Sequence, residues 1–189
     1  MPSSRPYHHG NLRQAVLVEA AAVVRDRGAA ELSLREVAAI IGVTHAAPRR
    51  YFPGRQELLD AVAAEGFARL GVRLREATDE PDYARQVRAV AGAYLDFATA
   101  EANLLELMFA HKRGTDGEAV SMSAEAAFAP ILQVFHRGEG EGLLPDRSAE
   151  RLSVVFLATL QGLAGLINCG VVPINQVGDL VNEAVTRFQ

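Results

Sequence analysis

The segment Thr44-His45-Ala46-Ala47-Pro48-Arg49-Arg50-Tyr51 gathers hydroxyl, imidazole, guanidinium and phenol groups in one short stretch. Thr44, His45, Arg49, Arg50 and Tyr51 all supply hydrogen-bond donors, and the arginines add fixed positive charge. Ala46 and Ala47 are small enough to let the backbone come close to a large anionic partner. That combination suits contact with phosphates and base edges. A surface helical hairpin carrying incidental basic residues is the alternative.

A second set of residues is apolar. Tyr94, Phe97, Met108, Phe109, Phe128, Leu132 and Phe135 could line a small-molecule cavity or fill a core, and core packing is the default for each. Gln161 and Asn168 interrupt an otherwise apolar stretch, where a buried amide needs partners. The sequence has no Gly-rich phosphate loop, no His-Glu-x-x-His pair, no nucleophile elbow and no cysteine cluster, so neither catalysis nor a cofactor is expected. The His8-His9 pair has no clustered third ligand, so no metal site is expected either.

The composition, 49% hydrophobic and 22% charged, is that of an ordinary globular chain and excludes a disordered or fibrous one. The net charge of -4 hides an asymmetry. Residues 1–55 hold eight Arg against four acidic residues, whereas residues 56–189 hold eleven basic against nineteen acidic. A basic first third on an acidic body suits an anion-binding head. The single cysteine, Cys169, excludes an internal disulfide, and a reducing cytoplasm is the natural compartment. The opening residues lack the apolar stretch of a signal peptide. Val154 to Ile167 is broken by Thr159, Gln161, Gly162 and Gly165 and falls short of the roughly 20 residues of a membrane span, so it reads as a buried helix.

What must position these groups is helical throughout, because apolar residues recur at 3.6-residue spacing and no stretch alternates for long. About nine helices are predicted, in an all-α fold. The first runs from Asn11 to Arg27 and ends at Gly28. Ser33 and Glu36 have capping-box spacing and open a second that ends at Gly42. Thr44 then caps a short third helix to Tyr51, at a steep angle to the second, which makes a helix-turn-helix. Phe52-Pro53-Gly54-Arg55 breaks it, and a long fourth helix carries Leu58, Leu59, Val62, Phe67, Leu70 and Leu74. Further helices are expected from Pro81 to Ala100, Leu104 to His111, Glu118 to Arg137, Ser148 to Cys169, and beyond Pro173 with Val177, Leu180, Val181, Val185 and Phe188 on one stripe. Lys112 to Gly117 and Gly138 to Pro145 read as loops.

Residues 7–70 resemble the DNA-binding domain of the tetracycline-repressor (TetR) family of transcription regulators. The likeness rests on Leu32-Ser33-Leu34-Arg35-Glu36-Val37-Ala38, Gly42-Val43-Thr44 and Tyr51-Phe52-Pro53-Gly54-Arg55-Gln56-Glu57-Leu58-Leu59. The start Tyr7-His8-His9-Gly10-Asn11-Leu12-Arg13 and His45-Ala46-Ala47-Pro48 further resemble one subgroup. That subgroup commonly has Trp and His near Leu157 and Gln161, a departure here.

The resemblance implies a helix-turn-helix head over residues 1–55 and a sensing and dimerising body over 56–189. It implies a homodimer on double-stranded operator DNA, released by a small apolar or aromatic effector; a DNA-binding dimer with no ligand is the alternative. Carried over by position, Thr44 contacts phosphate and His45 and Ala46 face base edges. Arg49 stands where the family has a phosphate-contacting Tyr, Tyr51 where His is common, and Arg55 where a Lys approaches the backbone. Arg35 and Arg50 complete the expected DNA-binding set. Tyr94, Phe97, Met108, Phe109, Phe128, Leu132 and Gln161 are the expected effector site. Leu163, Ile167, Val177 and Val181 are expected in a dimer interface made by the last two helices, where Ala158, Gly162, Ala164 and Gly165 permit close approach.

Overall fold

The computed structural model describes residues 12–111, 118–144 and 148–188, and these form eight α-helices and five short 3-10 turns with no strand. The Tyr7 to Asn11 motif, the Lys112 to Gly117 loop and Pro145 lie outside the described residues.

Helix α1 (Leu12–Arg27) buries Val16, Leu17, Ala20, Val23 and Val24, one face at three- and four-residue spacing. Each of the valine and leucine side chains contributes about 1.5–3 kcal/mol on full burial. Gly28 ends the helix at φ 85°, its N–H closing on the Val24 carbonyl at 2.8 Å. Helix α2 (Leu34–Ile40) follows an extended Ser33, but the expected capping box does not form. Ser33 makes no capping bond, and the Glu36 carboxylate is taken instead by Arg27 at 2.8 Å. At the far end Gly42 (φ 74°) donates to Ala39 and Val43 to Ala38, at 3.2 and 2.9 Å, the paired bonds of a Schellman cap.

The expected third α-helix is a correction. Residues Pro48–Arg50 form one 3-10 turn, preceded by a turn over Thr44–Ala47. Pro48 has no N–H, so the bond back to Thr44 that an α-helix needs cannot exist. The chain tightens to i,i+3 bonds instead, Ala47 to Thr44 at 2.9 Å and Arg50 to Ala47 at 3.3 Å.

Helix α3 (Arg55–Glu76) is the spine. It buries Leu58, Leu59, Val62, Ala63, Phe67, Leu70 and Leu74, and packs on α1 and on the body helices. A Cβ at Gly71 would lie 3.0 Å from the Ala127 Cα, so α3 and the helix bearing Ala127 approach backbone to backbone. The body comprises α4 (Tyr83–Ala100), α5 (Ala102–His111), α6 (Glu118–Gly140), α7 (Ala149–Asn168) and α8 (Val177–Val185). Asp82 caps α4 by accepting from the Arg85 N–H at 2.9 Å. Helix α6 continues through Gly138 and Gly140, where the glycine spacing predicts a loop. Phe135, Phe156 and Phe188 meet edge to face or tilted at 5.2–6.2 Å and fasten the C-terminal turn to α6 and α7. Buried apolar residues form one connected core from Val16 to Phe188.

Helix α7 also differs from expectation. It runs 20 residues, long and apolar enough by length and composition to cross a membrane, yet it packs on α4 and α6 within the bundle. It buries only Ala149, Phe156, Leu160 and Ala164. Val154 (67% exposed), Val155 (54%) and Leu166 (44%) lie open with Ala158, Gly162 and Gly165, and Val171 beyond the helix is exposed too.

Candidate nucleic-acid interface and effector clefts

The turn that replaces the third helix still presents the donor set outward. Thr44, His45, Ala46, Arg49, Arg50 and Tyr51 are exposed, as is Arg35 on α2, while Pro48 and Phe52 beneath them are buried and hold the segment down. Among the described residues, Arg35, Arg49, Arg50 and His45 make no side-chain hydrogen bond or ion pair, so their donors face solvent unspent. Other head arginines are committed: Arg27 to Glu36, Arg25 to Asp26 at 2.9 Å, and Arg13 over the Phe52 ring at 5.5 Å.

Arg55 does not share that freedom. Its Nε donates to the Leu32 carbonyl at 2.9 Å, and its Nη2 donates to the Ala29 and Ala30 carbonyls at 2.5 and 3.2 Å. The guanidinium closes the Ala29–Glu31 turn onto the start of α3, where Gly54 supplies no side-chain cap.

The seven expected effector residues do not form one pocket. Tyr94, Phe97 and Met108 are fully buried and fill the core. Phe97 sits beneath the Arg69 and Arg73 guanidinium groups at 5.9 and 5.5 Å. Phe109 and Phe128 pack against Phe67 at 6.1 and 5.9 Å. Phe128 and Leu132 also line an open cleft of about 300 Å³ between α6 and α7, with Glu125, Ser153, Val154 and Leu157. Gln161 lines a different cleft of about 400 Å³ between α5 and α7, beside Asn103, Glu106, Asn168 and Cys169.

The two amides on α7, Gln161 half-buried and Asn168 exposed, each have a partner on α4. Tyr94 donates its hydroxyl to Gln161 Oε1, and burial pushes the Tyr94 phenol up, so it stays a donor. Asn168 Nδ2 donates to the Ala98 carbonyl at 3.1 Å. Sequence reasoning missed Asn103, whose Nδ2 donates to the Arg25 carbonyl at 2.9 Å and joins α5 to the end of α1. It also missed Glu101, which is 7% exposed: Arg69 donates to Oε1, and Oε2 has no partner. Nothing about an Asn or a Glu near a helix junction marks such long-range partners in a single sequence.

Of the expected dimer residues, Leu163, Ile167 and Val177 are half-buried against the core, and Val181 is 7% exposed, inside it. The open apolar face belongs instead to Val154, Val155, Ala158, Gly162 and Leu166.

Residues 16–62 match the family described as bacterial regulatory proteins, tetR family, and residues 87–187 match the tetracyclin repressor-like C-terminal domain. No curated protein matches. Among solved structures, a protein of unknown function from Rhodococcus sp. RHA1 is 34% identical, with TM-score 0.89 over 98% of this chain and 97% of that one. The TetR-family transcriptional regulator PfmR from Thermus thermophilus is 15% identical (TM-score 0.71, 90% and 94% covered). AibR, solved with isovaleryl coenzyme A and operator DNA, is 20% identical (TM-score 0.67, 90% and 96% covered). With both family regions matched in chain order on this all-helical fold, the chain belongs to the TetR family of DNA-binding transcriptional regulators.

Proposed function

We propose that the protein acts as a homodimeric repressor whose two heads sit in successive major grooves of one operator, and that a small molecule in the body releases it. The uncommitted donors of Arg35, Thr44, His45, Arg49, Arg50 and Tyr51, all exposed on α2 and the turns that follow it, carry this reading. Phosphate contacts from Arg35, Arg49 and Arg50 set affinity, and His45 with Ala46 faces base edges. Two copies joined through the apolar face of α7 present paired heads, for half-sites about 34 to 36 Å apart or a multiple of this. Arg55 is left out of the contact set, since its donors are spent on backbone carbonyls.

Two regions support effector binding: the apolar α6/α7 cleft with Phe128 and Leu132, and the neighbouring cleft with Gln161. A ligand regulates only by preferring the conformation that fits DNA less well. The complete burial of Tyr94, Phe97 and Met108 favours the second reading, a DNA-binding dimer that senses nothing, because those side chains fill the space an internal ligand needs.

The test is selection of bound duplexes from a random pool, followed by footprinting and a ligand screen on the selected site. Symmetric paired protections and release by an added small molecule are expected. A single asymmetric block of protection counts against the dimer reading, and a bound operator that no ligand releases favours the second one.

A further inference from the structure

The two clefts beside α7 share one side of that helix. Val154 and Leu157 line the first, and Gln161, Gly165 and Asn168 the second. Their spacing of three and four residues puts all five in one row. Leu157 and Gln161 are one turn apart, about 6 Å at 1.5 Å per residue. Phe109 on α5 and Phe128 on α6 lie tilted against each other at 6.2 Å, which ties α5 to α6. The clefts therefore follow one another along α7, the first apolar and the second polar.

The polar end is specific in character. Gln161 Oε1 is occupied by Tyr94 and the Asn103 and Asn168 amide nitrogens by backbone carbonyls. Among the described residues, the groups without a partner are therefore the Asn103 and Asn168 amide oxygens, the Glu106 carboxylate and the Gln161 amide nitrogen. Three acceptors against one donor favour a ligand head rich in N–H. Glu125 in the apolar cleft and Glu106 in the polar one both disfavour an anionic ligand.

We propose that these two clefts act as one groove that binds an elongated amphipathic amine or amide, apolar part between α6 and α7 and N–H-bearing head between α5 and α7, and that Asn103 carries its presence to the head domain. Asn103 lines the polar cleft and also holds the Arg25 carbonyl at the end of α1. A head N–H that draws the Asn103 amide oxygen into the cleft turns the amide and pulls Nδ2 away from the Arg25 carbonyl, so α5 loses its hold on α1. The inference rests on the reading that the body senses a ligand, and it names the ligand's class and the route of the signal.

The experiment titrates decylamine, decanamide and decanoate, each below its micelle concentration, into full-length wild type, Glu106→Leu and Asn103→Ala. Saturable binding is followed by calorimetry and release by anisotropy on the selected duplex. Decylamine or decanamide is expected to bind wild type and weaken operator binding by about 5- to 150-fold, the usual range of coupling between sites. Glu106→Leu, at an exposed position, removes the charged acceptor and is expected to lose binding of both N–H ligands. Asn103→Ala is expected to bind them more weakly, having lost one acceptor, and at saturating ligand to change operator affinity less than about twofold. Tighter binding of decanoate, or undiminished release in Asn103→Ala, overturns the proposal. If the wild-type operator complex is released by some other compound while neither amine nor amide binds, the groove assignment fails and the sensing reading stands; if nothing releases it, both fail.

Discussion

Arg55 reaches back from the first turn of α3 and donates to the Leu32 carbonyl at 2.9 Å, locking the turn before α2 against the helix that joins head to body. Two more donations, to Ala29 and Ala30, come from Nη2 of the same guanidinium. A charged donor to a carbonyl is worth about 1.5–3 kcal/mol when buried, and this one is partly exposed, so Arg55→Ala is expected to cost about 1 kcal/mol in urea denaturation. Arg55→Lys recovers part of that, since one ammonium cannot span three carbonyls. The salt dependence of operator binding should not change. A drop in its slope with stability intact makes Arg55 a phosphate contact after all.

Arg49 and His45 separate affinity from selectivity. Both are exposed and without side-chain partners among the described residues. Arg49→Ala is expected to weaken binding to operator and scrambled duplex alike and to lower the log-log salt slope by about 1 for each phosphate no longer neutralised. His45→Ala should leave the slope in place and relax preference at one position per half-site, at about 1–3 kcal/mol per base pair misread. The readout is a salt series on both duplexes with each variant shown to be folded. A selective Arg49 effect beside a uniform His45 effect reverses the two roles.

These two residues also mark how far the sequence alone can be read. Helical periodicity places α1, α2 and the body helices, and Gly28 and Gly42 place two ends, because glycine at positive φ is a local property. Pro48 is legible as a distortion, but its full effect, a 3-10 turn in place of a helix, requires knowing that the i,i+3 bonds win. The failed capping box has a tertiary cause, since Arg27 takes the Glu36 carboxylate from the preceding helix. Likewise Arg55, Asn103 and Glu101 bond to groups 23 or more residues away, and spacing carries no trace of such partners. Periodicity also cannot say which side of α7 is covered by its own chain and which is left open.

The open side gives the third expectation. Val154, Val155 and Leu166 expose apolar surface in a row with Ala158 and Gly162, an arrangement typical of surfaces covered in assemblies. Val155→Glu with Leu166→Glu is expected to yield a folded monomer by light scattering with near-native helicity. Val181→Glu, at a site buried in the protomer itself, is expected to unfold the chain instead. An unchanged oligomer in the first variant moves the interface elsewhere.

Glu101 gives the last. Its side chain is buried at the junction of α4 and α5, where Arg69 from α3 satisfies one carboxylate oxygen and nothing satisfies the other. Removing one member of a fully buried pair typically costs about 3–5 kcal/mol, because the remaining charge is stranded. Arg69 is 39% exposed, so water can reach part of the site. The cost of Arg69→Met should therefore fall to about 1–3 kcal/mol. Met keeps the apolar stem, which also covers Phe97 from one side, so lost packing contributes little. Glu101→Gln removes the charge and keeps the shape. In the Arg69→Met background it is expected to restore stability, and in wild type to be nearly neutral or mildly destabilising. Urea denaturation of the four proteins closes a double-mutant cycle, and a coupling energy of about 0.5 kcal/mol or more, the usual lower bound for side chains that touch, is the expected result. Additive effects in that cycle mean that Glu101 reaches water and that the junction between α4 and α5 is held by packing alone.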